Sequence, residues 1–92
     1  MKAFGELVRA LREDRWFYDD EGRRLTWTRR ELARRTQTIS PGSGVYALTE
    51  HNVRDIETGN MALLRPDRHI EPLARALELT EHQKVEFYAV AG

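Results

Sequence analysis

The sequence predicts an all-α domain of five helices, with a β-hairpin insert between the first two and a long loop between the second and third. Three observations predict it. Apolar residues recur at three- and four-residue intervals through most of the chain, the repeat of a helix with one buried face. Thr28, Thr49 and Thr80 each stand where a helix start needs a side-chain oxygen to accept a free backbone N–H. Only one stretch, residues 15–27, carries two strand-favouring runs about an acidic, glycine-ended turn.

The first helix is expected over 4–14, where Phe4, Leu7, Val8 and Leu11 share one face and Arg9, Arg12 and Glu13 fall outside it. Residues 15–27 follow as the hairpin, its tip near Asp20, Glu21 and Gly22. Two strands alone are marginal, so Trp16, Tyr18 or Leu25 should lean on the helices. Helix 2 opens at the capping box of Thr28 and Glu31, in which Thr28 takes the Glu31 N–H and Glu31 reaches back. Leu32 and Ala33 face the core, and the helix runs to Thr36. Pro41, Gly42 and Gly44 make 37–47 a loop, with Ile39, Val45 and Tyr46 pinning its ends.

Helix 3, about residues 49–58, has its own start and stop signals. Thr49 caps its N-terminus, and Gly59 closes its C-terminus in a left-handed turn. Val53 and Ile56 form one narrow buried edge. The rest of the surface, Glu50, His51, Asn52, Arg54 and Asp55, is rich in hydrogen-bonding groups, the form of a helix that reads a surface. Residues 60–65 connect to helix 4, which starts at Pro66 and turns Ile70, Leu73, Ala74 and Leu77 inward. Pro72 lies inside that pattern and should kink the helix or restart it at Leu73. A further capping box, Thr80 with Gln83, opens helix 5, where Val85, Phe87, Tyr88 and Val90 are the apolar groups.

Ninety-two residues make one small domain, and 40% hydrophobic with 33% charged residues is ordinary for a globular one. Cysteine is absent, which removes disulfides and thiolate metal sites. No apolar run approaches the roughly 20 residues needed to span a bilayer. Residues 1–6 lack the apolar core of a signal peptide, so a cytoplasmic protein without membrane association is expected. His51, His69 and His82 fit no compact ligand spacing, and Pro41-Gly42-Ser43-Gly44 lacks the Lys-Ser/Thr of a phosphate-cradling loop. No metal, cofactor or enzymatic activity is expected. Net charge is zero, yet residues 1–47 hold ten basic against seven acidic groups, and Arg29, Arg30, Arg34 and Arg35 are the densest basic cluster.

With the helices placed, the chain resembles the lambda-repressor-like (XRE/Cro-type) helix-turn-helix family of bacterial and phage regulators. Trp27-Thr28-Arg29-Arg30-Glu31-Leu32-Ala33 is similar to that family's "LTQEELA" opening of the first motif helix. Leu48-Thr49 with Val53-Arg54-Asp55-Ile56-Glu57-Thr58-Gly59 is similar to its "LS…ISRIERG" recognition helix. Residues 70–92 are similar to its "LLALARALGLSEEERAELLALAG" tail. The chain departs from the pattern in the 37–47 segment, where the family has a turn of about four residues, and in the hairpin insert.

The resemblance implies a sequence-specific transcriptional regulator that binds double-stranded DNA, with helix 3 in the major groove and half-sites read by a homodimer. Carried over by position, Thr28, Arg29 and Arg30 start the first motif helix, Arg29 on phosphate. Thr49, Glu50, His51 and Asn52 meet base edges, and Arg54 and Asp55 follow as the next exposed positions. Asn52 suits adenine, Arg54 guanine or a phosphate, and Glu50 cytosine N4. Glu57 is structural, bonding locally near the helix end. Neutral charge and the enlarged loops keep a second class open: a protein-interaction module on the same scaffold, antitoxin-like or a co-regulator, with a protein partner and weak or no DNA binding.

Overall fold

A computed structural model describes residues 2–92. In it the apolar stripe of the first segment does form a helix, α1 (Lys2–Glu13), with Phe4 and Val8 fully buried and Leu7 and Leu11 packed beside them. Arg12, expected on the outer face, is buried, because it continues the Phe4–Val8 row by one more turn. The chain then forms β1 (Trp16–Tyr18) and β2 (Arg24–Thr26), paired antiparallel with Phe17 opposite Leu25. Asp19 organises the tip by accepting the N–H groups of Glu21 and Arg23 on one carboxylate oxygen, and Gly22 takes the left-handed turn position at φ 79°.

The hairpin leans on the core by a different residue from those expected. Phe17 packs inward, whereas Trp16, Tyr18 and Leu25 remain 41–63% exposed. Side chains alternate along a strand, so docking through Phe17 puts its two aromatic neighbours outside. There Trp16 and Tyr18 meet edge to face, and Arg24 lies over the Trp16 ring.

Helix α2 (Arg29–Ser43) is longer than the sequence suggests. Leu32, Thr36 and Ile39 make an inward row at i, i+4 and i+7, so burial carries the helix past Thr36. Only Pro41 (ψ 124°) and Gly42 (φ 84°) depart from helical geometry, and left-handed Gly44 ends the element. The expected capping box is half-made. Thr28 accepts the Glu31 N–H, but the Glu31 carboxylate turns to Arg34 and Arg35 instead of returning. Residues 44–49 then lead into α3 (Glu50–Thr58), and Thr36 anchors them: its hydroxyl donates to Ala33 O and accepts the Leu48 N–H at 2.8 Å.

A wide π-type turn, Pro66–Ile70, passes into α4 (Glu71–Ala76), with the Glu71 N–H reaching back five residues to Pro66 O. Pro72 explains it: without an N–H, and with its ring crowding the carbonyl four residues earlier, it cannot sit in a continuous α-helix. The restart therefore falls two residues before Leu73. Helix α5 (Glu81–Ala91) begins at a complete Thr80/Gln83 capping box. Phe87 is fully buried and stacks against Phe4 with ring centroids 4.8 Å apart. Val85 is exposed, since residues two apart lie on opposite sides of a helix and Phe87 takes the inner one, and Val90 is 38% exposed in the last turn.

The described residues are thus 64% helical with one two-stranded sheet. No helix among the described residues is long and apolar enough to cross a membrane. Helix α3 packs against α1 and α2, α4 backs α2, and α5 backs α1. The crossing of α1 on α3 is close enough to require Gly5: a Cβ there would meet Ile56 O at 2.3 Å and Glu57 O at 2.6 Å.

Both obstructing atoms are backbone, so Gly5→Ala must push α1 off α3. It should lower stability by about 1–3 kcal/mol, read as a shift in the denaturant midpoint at constant slope.

The α4–α5 contact makes stability depend on pH. The Tyr88 hydroxyl donates to Glu71, and this bond, then one from Arg75, holds the Glu71 carboxyl below its ordinary value of 4.5. Burial, then the same bond, pushes Tyr88 up from 10.0 to about 12. A lowered acid contributes stability above its unfolded value and loses it as pH falls. A raised phenol contributes below its unfolded value and loses it as pH rises. The pair therefore contributes fully between pH 4.5 and 10.0. Tyr88→Phe should flatten both edges of a midpoint-against-pH curve.

Candidate nucleic-acid interface

Helix α3 is short, and its ends are closed tightly. Thr49 Oγ1 accepts the Asn52 N–H at 3.1 Å, and Asn52 Oδ1 accepts the Thr49 N–H at 3.0 Å, a reciprocal box at the first turn. At the other end Gly59 is left-handed at φ 77°, with Gly59 N–H on Ile56 O and Asn60 N–H on Asp55 O. Between these caps Val53 and Ile56 are buried, and Glu50, His51 and Arg54 face outward.

This geometry divides the residues expected to read bases. Glu50, His51 and Arg54 are exposed and Asp55 is half-buried. Asn52 is half-buried with its carbonyl oxygen engaged in the cap. Pairing with an adenine through both ends of that amide would open the first turn of the helix, so Asn52 acts here as a cap.

The start of α2 lies beside the start of α3. Thr28, Arg29, Arg30, Glu50, His51 and Arg54 line one cleft of about 670 Å³, with Arg12 at its floor. Thr28, Arg30 and Glu50 also line an adjoining hollow that takes in Thr49, Arg34 and Phe17. Of the nine residues singled out in the sequence, all but Asn52 and Asp55 line these two depressions. Pro41, Gly42 and Gly44 line neither. Tyr46 turns toward the Pro66–Ile70 segment, with Arg68 over its ring. The long connection leaves the outward side of α3 open.

Beneath the cleft lies a residue whose reach the sequence reading missed. Glu57 is fully buried and accepts Arg12 at both oxygens, Nε to Oε2 at 2.7 Å and Nη2 to Oε1 at 2.9 Å. Arg29 Nε joins Oε1 at 3.0 Å, and Arg12 Nη1 reaches Trp27 O at 2.7 Å. One carboxylate thus ties α1, the hairpin exit, α2 and α3 together. Glu57 is structural, as expected, but its bonds are long-range and not local. The signal was present as periodicity: Val53, Ile56 and Glu57 share one helix face, and so do Phe4, Val8 and Arg12, so each stripe ends in a charge.

That pairing alters the expected role of Arg29. Its guanidinium is held inward by Glu57 and its side chain is 31% exposed, so it forms the wall of the cleft and is no free phosphate contact. Arg34 and Arg35 are drawn to Glu31, whose carboxyl the Arg34 hydrogen bond holds below its ordinary value. Arg30 is exposed and has no ion-pair partner among the described residues. It is the cation available to a ligand at the start of α2. No protein-family model matches the chain, and no curated protein is significantly similar to it.

Removing Glu57 would leave the buried Arg12 cation without its partner. Glu57→Ala should cost about 3–5 kcal/mol, the range for breaking one side of a buried pair. Arg29→Ala leaves Arg12 on the carboxylate and should cost less than half as much. Chemical denaturation of both variants gives the comparison.

Proposed function

We propose that the protein is a sequence-specific DNA-binding transcriptional regulator of the lambda-repressor-like helix-turn-helix kind, a binding protein and not an enzyme. Helix α3 enters the major groove, and the start of α2 rests on the adjoining phosphates. The observation that carries this reading is the single open cleft shared by the outward side of α3 and the first turn of α2. An α-helix with exposed donors and acceptors fits a groove about 12 Å wide, and a helix N-terminus with Arg30 beside it suits a phosphate. Thr28 and Arg30 position the backbone, Arg29 walls the cleft, and Glu50, His51 and Arg54 face base edges.

The reading includes a homodimer on a near-palindromic site, its half-sites about one helical turn apart. Phe87 lies in the core and is not available to a second copy. Val85 and Val90, exposed on α5, are the apolar groups that a partner copy would cover. Two features favour the second reading, a protein-interaction module: most cations near the cleft are already paired within the chain, and the hairpin exposes Trp16 and Tyr18.

Selection of bound duplexes from a random pool, followed by salt titration, separates the two. A regulator enriches a preferred, two-fold-related sequence, and its affinity falls linearly on a log–log plot against salt. Arg30→Ala should weaken binding to all duplexes alike and reduce that slope by about 1. A pool that stays random after selection refutes DNA reading and leaves the interaction module.

A further inference from the structure

Arg54 is not a free side chain at the mouth of the cleft. Its Nη2 lies 2.6 Å from His51 Nδ1 and its Nε 3.9 Å from Asp55 Oδ1, while His51 Nε2 lies 3.1 Å from Asp55 Oδ2. The three residues stand at i, i+3 and i+4 of one helix and close a ring of contacts on its outer face. A guanidinium nitrogen only donates, so His51 Nδ1 must accept, and the imidazole proton sits on Nε2, directed at Asp55. The contact therefore requires a neutral His51.

One hydrogen of Nη2 is engaged by His51. Its other hydrogen and those of Nη1 remain as donors, the kind that guanine O6 and N7 accept. The neighbouring polar groups do not compete for that role, because Asn52 is engaged in the cap and Glu50 only accepts.

Resting on the DNA-reading function proposed above, we infer that His51 and Asp55 are positioning residues that hold Arg54 as a guanine-specific reader, and that this reading is lost when His51 is protonated. The groups facing His51 are Glu50, Arg54 and Asp55 on its own helix, Arg29 and Arg30 from α2, and Arg12 from α1. A protonated imidazole presents a donor where Arg54 also donates. The contact breaks, and Arg54 keeps only its longer approach to Asp55, which does not fix its direction. Acidification then strengthens binding to every duplex through added positive charge and removes the preference for guanine.

The test uses the full chain and its selected duplex, with each guanine in turn replaced by 7-deazaguanine, which lacks the N7 acceptor. At pH 8 one replacement per half-site should weaken wild-type binding about tenfold or more, the worth of a hydrogen bond to a charged group. Arg54→Ala should be insensitive to the replacement. His51→Ala and Asp55→Ala should each shrink the penalty by roughly twofold or more, as for residues in direct contact. Both sites are on the outer face of a helix, so the melting temperature should stay near wild type, and either variant suffices if the other folds poorly. As the pH is lowered, the penalty should fall in wild type and stay constant in His51→Ala.

A selected site with no deaza-sensitive guanine, a penalty that survives Arg54→Ala, or a penalty independent of pH in wild type overturns this inference while DNA reading stands. Absence of any selected duplex overturns both.

Discussion

The carboxylate of Glu57 is where three helices meet, and the arrangement of the rest follows from it. It sits on the inner edge of α3, takes Arg12 from α1 at both oxygens and Arg29 from α2 at one, and has no contact with solvent. A buried ion pair contributes little net stability, because desolvation offsets most of the attraction. Its effect is on geometry. Apolar contacts between helices tolerate small slides and rotations, whereas a forked guanidinium on a carboxylate holds only in one register. Gly5 adds the complementary constraint, since the backbone of α1 touches the carbonyls of Ile56 and Glu57 directly. Together these set the depth and rotation of α3, and so which of its side chains face outward.

The two irregular connections, the hairpin and residues 44–49, are held by local devices. Residues 44–49 are tied to α2 by Thr36, which is buried and joins Ala33 O to the Leu48 N–H, and by Gln37, which donates to Leu48 O. A connection anchored at its exit delivers the chain to Thr49 in a defined direction, which a long flexible loop would not do. The hairpin is held by Phe17 on its inner side, while the Arg12 bond to Trp27 O fixes its exit next to the start of α2. Neither segment closes the cleft, and the outward side of α3 stays accessible.

The inner and outer faces of α3 differ in their energetics. Inside, removal of a partner strands a charge in a dry site. Outside, His51, Arg54 and Asp55 pair in water, where such contacts contribute at most about 1 kcal/mol and rearrange readily. The helix is thus rigid in position, while its outer side chains are held only by contacts with one another.

Much of this was legible in the residues taken alone. The helix starts at Thr28, Thr49 and Thr80, the stop at Gly59, the hairpin tip, the disruption at Pro72 and the Val53–Ile56 edge all follow from interactions within a few residues, which a linear sequence displays. So did the outward set of Glu50, His51 and Arg54 on α3, since neighbours on one helix face are spaced regularly. What lay between distant residues was decided only in three dimensions. The partners of Glu57 are 28 and 45 residues away, Gly5 is needed only because α3 crosses there, and Thr36 is a mid-helix anchor only because Leu48 returns to it. Whether Arg29 and Asn52 are free to touch a ligand depends on those same contacts. Periodicity states which side of a helix is wet or dry, but a polar group's partner is set by which backbone or charge the packing brings within about 3 Å of it.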